Sequence, residues 1–173
     1  MPNYQPAGYI QLELYEDGKS YEDLAEVTLP NIAFLTTSIS GSGLMGNIEV
    51  PIMGMLDNMT MTIKFRTMTE TAAKLCEPKK HQLDLRIAEE WWENESAETG
   101  LWADKIVVIC VPKATTLGVV TPVAMPDTSG EYVVYYYAAY RNGEQLWEID
   151  KRNMKCVIGG VDYMAEVRKA LGK

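Results

Sequence analysis

The sequence predicts a mainly β domain that leaves part of its own strand surface uncovered. Three observations carry this reading. Asn58 to Arg66 alternates strictly, with Met59, Met61, Ile63 and Phe65 on one side and Asn58, Thr60, Thr62, Lys64 and Arg66 on the other. That is the period-two mark of a strand with one buried and one wet face. Asn142-Gly143 separates two β-prone runs, which is the strongest short-range hairpin signal. From Val27 to Ile63 the only ionisable side chains are Glu49 and Asp57, and five of the ten methionines (Met45, Met53, Met55, Met59 and Met61) fall between Gly43 and Arg66. A long uncharged β-prone stretch invites edge-to-edge aggregation, so it needs something to pack against.

The elements follow in order. Tyr9 to Tyr15 alternates loosely and reads as a strand, with Asp17-Gly18 as a turn. Ala25 to Leu29 is a second strand stopped by Pro30, Asn31 to Ile39 is extended, and Ser40 to Asn47 is a Gly/Ser loop. Glu70 to Glu77 is a short helix closed by Pro78. Leu83, Leu85 and Ile87 alternate with Asp84 and Arg86 and give another strand; residues 89–99 form an acidic stretch around Trp91-Trp92 whose later part reads as a loop. Ile106 to Val111 is a continuous apolar run, suited to a strand buried on both faces. Tyr132 to Tyr140 carries no charge and pairs across Asn142-Gly143 with Glu144 to Ile149, which Met154 to Ile158 would extend. Gly159-Gly160 breaks the chain, and Asp162 caps a last helix over 162–171 whose apolar positions Tyr163, Val167, Ala170 and Leu171 make one stripe.

With 173 residues, the chain fits a single domain over 1–173. Apolar content of 47% and charged content of 23% describe an ordinary globular protein. No apolar run reaches the roughly 20 residues of a membrane helix. The start MPNYQPAGYI has neither basic region nor apolar core, so no signal peptide and a cytoplasmic origin are expected. The net charge of −8 argues against specific nucleic-acid binding, which needs clustered Lys and Arg. Cys76, Cys110 and Cys156 are odd in number and widely spaced, suggesting neither a disulfide framework nor a zinc site.

The motifs that tempt do not hold chemistry. Gly41 to Gly46 fits G-x-G-x-x-G, but a dinucleotide site needs a helix next and Asn47 to Pro51 is none. His81 stands alone beside Lys80 and reads as a surface residue, and no Ser, Cys or second His is spaced for a catalytic relay. Glu89, Glu90, Glu93, Glu95 and Glu98 lack the spacing of a calcium loop and read as a solvated acidic face. Tyr135 to Tyr137 has no interleaved basic residues for stacking bases. No catalytic residue, cofactor or metal ligand is expected, and the chain is not read as an enzyme.

What remains is apolar strand surface that one chain of this size does not cover, and a neighbouring subunit would cover it. Two blocks of sequence bear on this. The C-terminal segment holds Tyr135 to Tyr137, Asn142-Gly143, Glu148-Ile149-Asp150, Asn153-Met154, Gly159-Gly160-Val161-Asp162 and Ala170-Leu171-Gly172. The earlier segment holds Thr28-Leu29-Pro30, the glycine loop Gly43 to Gly46, and Gly54-Met55. In this order they resemble the major tail tube protein of contractile-tailed phages and of R-type, phage-tail-like bacteriocins. About half of the chain is covered; Thr67 to Glu131 departs from the pattern.

The resemblance implies a β-sandwich or half-barrel with one short internal helix and a C-terminal helix. It also implies a homohexameric ring closing one continuous inner β-barrel, with rings stacked into a hollow tube inside a contractile sheath. Sheath contraction then drives the tube through the target envelope. Under it, residues 31–66 supply the long inner strands (Asn31 to Ile39 and Ile48 to Arg66), 40–47 the inter-ring loop and 89–99 an acidic outer loop. Gly43, Leu44, Met45, Gly46, Ile48, Val50, Met53, Met55, Met59, Met61 and Ile63 would form the self-assembly interface, with Met59, Met61, Ile63 and Phe65 turned to the protein layer. Asn58, Thr60 and Thr62 would face the channel. The implied partners are further copies of the chain, the tail sheath protein, a baseplate hub or tube initiator and the tape measure protein, with no stable membrane insertion; assembly would take place in the bacterial cytoplasm. The alternatives are a type VI secretion tube protein, against which the G-G-V-D and A-L-G ending speaks, and a monomeric β-barrel that binds a small apolar ligand. An enzyme is a more distant third.

Overall fold

The computed structural model describes residues 4–21, 24–124 and 127–173. Within them the chain is mainly β, with strands β1 (Tyr4–Glu16), β2 (Lys19–Tyr21), β3 (Leu24–Thr28), β4 (Phe34–Ile39), β5 (Ile48–Leu56) and β6 (Thr60–Phe65), then helix α1 (Glu70–Leu75). Strands β7 (His81–Glu93), β8 (Thr99–Thr116), β9 (Thr128–Arg141), β10 (Glu144–Asp150), β11 (Lys155–Ile158) and β12 (Val161–Asp162) follow, and helix α2 (Ala165–Ala170) ends the fold.

The turns set the order. Asp17 and Gly18 at φ 49° and 76°, and Asn142 and Gly143 at φ 49° and 85°, have both central residues left-handed. That twist matches two-residue hairpins, which join β1 to β2 and β9 to β10. Ten strands described here form one antiparallel sheet in the order β12-β11-β10-β9-β8-β7-β1-β2, with β6 added alongside β9 and β3 outside β6. On one side β9 pairs with β8 over most of its length. On the other side it forks: Thr128 to Val133 pairs with β6, while Tyr136 to Arg141 pairs with β10. Among the described residues the sheet is open and closes no barrel.

The core lies between the branches of the fork. Met59, Met61, Ile63 and Phe65 all enter it, as their alternation requires, and meet Leu14, Leu83, Leu85, Val108, Tyr132, Val134 and Ile149. Helix α1 adds Ala72 and Leu75. Thr69 caps it by accepting from the Ala72 amide at 3.2 Å, satisfying one of the free first-turn donors.

Five expectations need correction. Ile48 to Arg66 is not one strand: it breaks at 57–59 into β5 and β6, which belong to different sheets. Residues 89–99 are a loop only in their later part: strand β7 runs through Glu93 and β8 starts at Thr99, which leaves 94–98 as the connection; Trp91 packs edge-on to Tyr4 at 4.5 Å and lies 6.5 Å from Trp102. Ile106 to Val111 is buried on one face only, since Val107, Ile109 and Val111 are half-buried. Lys155 to Ile158 does not extend β10 but folds back on it antiparallel. The last helix is shorter than 162–171, and its expected stripe faces outward: Tyr163, Val167 and Leu171 are exposed, while Met164 just before the helix is the buried anchor.

Candidate self-assembly surface

Strands β4 and β5 form a separate two-stranded sheet that pairs only with itself among the described residues. Every residue of β4 is exposed, and of β5 only Gly54 and Leu56 are not. An isolated two-stranded ribbon is marginal in water, and this one is also apolar. Phe34, Leu35, Ile39, Leu44, Met45, Ile48, Val50, Ile52, Met53 and Met55 are all exposed; Met45 and Met53 reach 108% and 67%. Alternation fails in β5, where Ile52 and Met53 are adjacent and send apolar groups to both faces. No single layer of the same chain could bury both.

The root of this hairpin is fixed. The Asp57 amide donates to the Ala33 carbonyl at 2.9 Å, and Lys151 Nζ donates to the Asp57 carbonyl at 2.5 Å. Gly54, at φ +76°, lies so close to Met164 that a Cβ there would stand 2.1 Å from Sδ. The C-terminal segment thus clamps the hairpin where it leaves the fork in the sheet. Within the hairpin Thr36 donates to Glu49 at 2.5 Å, engaging the one charged side chain of its two strands.

The sequence-predicted residues therefore divide. Gly43, Leu44, Met45, Gly46, Ile48, Val50, Met53 and Met55 all lie on the hairpin or its tip loop and, Leu44 to Met55, stand in solvent. Met59, Met61 and Ile63, at 1%, 2% and 0% exposure, lie inside the chain's own core. Asn58 is exposed, and Thr60 and Thr62 are half-buried on the opposite face of β6.

Two charged clusters were missed because their members are distant in sequence. His81 is not a surface residue: it is fully buried, with Nδ1 2.6 Å from Glu16 and Nε2 3.0 Å from the Glu77 carbonyl. Cys110 stands opposite it across β7 and β8, so Cys, His and Glu converge. The cluster is not catalytic in form, because Nε2 is turned to a carbonyl and burial, with Glu16 nearby, pushes the Cys110 thiol up to about 12. Glu89 is likewise not a solvated residue; it is buried and paired with Arg141, which also holds Asp104 at 2.7 Å and stacks on Trp102 at 4.7 Å. An open groove of about 800 Å³ lies beside the Arg141 cluster and is lined by Glu13, Arg86, Trp102, Asp104, Lys105 and Tyr140. No group of three His, Cys, Asp or Glu able to hold a metal occurs among the described residues.

An open sheet whose most apolar surface projects into water defines a protein completed by association. Buried side chains of this size are worth about 1.5–3 kcal/mol each, so ten half-exposed ones hold on the order of 10 kcal/mol. That is comparable with the cost of about 4–15 kcal/mol for joining two proteins. The family model described as phage tail tube protein FII matches residues 9–172, nearly the whole chain. The chain belongs to this family and is a structural protein of the phage tail tube. No curated protein sequence matches it.

Proposed function

We propose that six copies close into a ring in which the β4–β5 hairpins pair edge to edge into one continuous inner barrel, and that rings stack into the tube of a contractile injection particle. That particle is a phage tail or an R-type bacteriocin. The single observation that carries this is the solvent-standing hairpin: both its faces are apolar and both its edges lack a strand partner among the described residues. Closing a cylinder satisfies the edge donors and acceptors and leaves none open.

The work is mechanical, and no bond is made or broken. A closed β-barrel transmits axial thrust because bending it would break many inter-strand hydrogen bonds together. The channel is lined by the β4–β5 hairpins, whose two strands carry one charged side chain, Glu49, between them; a neutral or acidic wall lets a polyanion pass without holding it. A sheath protein surrounds the tube, a baseplate hub starts it and a tape measure protein occupies it; assembly takes place in the bacterial cytoplasm. Negative-stain microscopy of the purified protein, with sedimentation velocity, tests this reading. Six-membered rings or hollow filaments are expected. A stable monomer at micromolar concentration, with no filament on any template, would overturn it.

A further inference from the structure

A second exposed apolar surface lies far from the hairpin in sequence. Strands β8 and β9 continue past the point where β7 ends its pairing, at His81 opposite Cys110, and reach out to Thr116 and Ser129. At the tip, Leu117, Val119, Val120 and Val123 are 68%, 71%, 93% and 109% exposed. No ionisable side chain occurs between Lys113 and Asp127. The base of the tip is closed: the Thr128 hydroxyl donates to the Leu117 carbonyl at 3.3 Å, and Gly118 lies against the Asp127 backbone, where a Cβ would come within 2.9 Å. Val123 sits at φ +67°, a left-handed conformation that a β-branched residue adopts only under strain. Four aliphatic groups are thus presented on a tied loop, uncovered by any of the described residues.

We propose that this tip, residues 117–124, is the axial contact of the tube and receives the uncharged hairpin tip, Leu44 and Met45, of a copy in the next ring. The inference rests on the tube reading and adds the receiving surface to it. Stacking identical rings is a head-to-tail contact, so it needs two different patches that fit each other. Each copy carries a net charge of −8, and like-charged copies repel over roughly 10 Å at moderate salt. Their contacts therefore fall where neither surface is charged. Among the described residues, three exposed stretches lack charged side chains: Tyr4 to Gln11 of β1, the hairpin from Phe34 to Ile48 and this tip. The first lies beside Glu89, Glu90 and Glu93 of β7, so the hairpin and the tip are the two that present no charge.

The double variant Val120→Asp/Val123→Asp tests it. Aspartate tolerates the left-handed backbone better than valine, so circular dichroism and thermal melting should match the wild type. Tube formation should weaken at least about tenfold in critical concentration, with single rings persisting. Wild-type tubes from the double variant overturn the proposal and leave the tube reading intact. A wild type that assembles nothing overturns both. A second measurement mixes Met45→Cys and Val120→Cys copies, each also Cys76→Ser, and treats assembled tubes with a short bis-maleimide. A heterodimer that forms in tubes and not in monomer supports the pairing, and tubes without it overturn it.

Discussion

Strands β5 and β6 come from one methionine-rich stretch, four residues apart, yet meet opposite fates. In β6 every second side chain is buried, with Met61, Ile63 and Phe65 at 2%, 0% and 4% exposure. In β5 Ile48, Ile52, Met53 and Met55 lie between 44% and 67%. Total apolar content does not separate them; its arrangement does. Strand β6 confines its apolar groups to one face, which a single layer of the same chain can cover. Strand β5 sends them to both faces, and its own chain supplies no second layer. The first strand holds the fold together, whereas the second stands exposed and, in the proposed tube, would be covered by other copies.

Charge at Met61 should have the largest effect on this contrast. Met61→Asp places an unpaired carboxylate in the core and should cost about 3–5 kcal/mol, enough to lose the cooperative melt of the monomer and with it all assembly. A folded Met61→Asp protein would refute the division between the strands. Gly54→Ala comes next, since the added Cβ meets Met164 and φ is positive. It should cost about 1–3 kcal/mol, lowering Tm by roughly 2–4 °C per kcal/mol. Hydrogen exchange should rise at the hairpin root around Asp57 before it rises in β6.

A pH test sharpens the role of the C-terminal clamp. Arg168 donates to Asp162 at 2.6 Å, and with the Met164 and Cys156 amides holds its carboxyl below the ordinary aspartate range. A depressed carboxyl stabilises the fold at pH above its unfolded value, about 3.9, and that contribution fades as pH falls through the lower folded value. Asp162→Asn should therefore melt below the wild type near neutral pH, and the gap should close under acid, as read by differential scanning calorimetry. The smallest effect on the monomer belongs to Met53→Asp, within about 0.5 kcal/mol because the site is exposed. The same change should abolish tubes in electron micrographs, the inverse of a merely structural defect.

Much of the fold was legible because local patterns coincide with tertiary demand. The alternation of Met59 to Phe65, the Asn142-Gly143 turn and the short helix starting at Glu70 all recur in the structure. The break at 57–59 was not legible. Asp57 and Asn58 are weak breakers by themselves, and the turn is held by Ala33 and Lys151, 24 and 94 residues away in the chain. Met59, Met61 and Ile63 were drawn into the expected interface because burial by the same chain and burial by a neighbour leave the same apolar pattern. His81 and Glu89 read as solvated because Glu16 and Arg141, which engage them, are 65 and 52 residues distant. The tip at 117–124 carried a signal, an uncharged valine-rich loop, that passed without notice.

By itself the sequence determined the strand content, the tight turns and the presence of an uncharged surface too large for an acidic chain to leave in water. These depend on neighbours a few residues apart, where side-chain period and backbone preference act directly. Only the tertiary structure decided which apolar strand is core and which is surface. That choice turns on how many layers one chain can fold over a strand, and here the fork at β9 supplies a cover for β6 and none for β5.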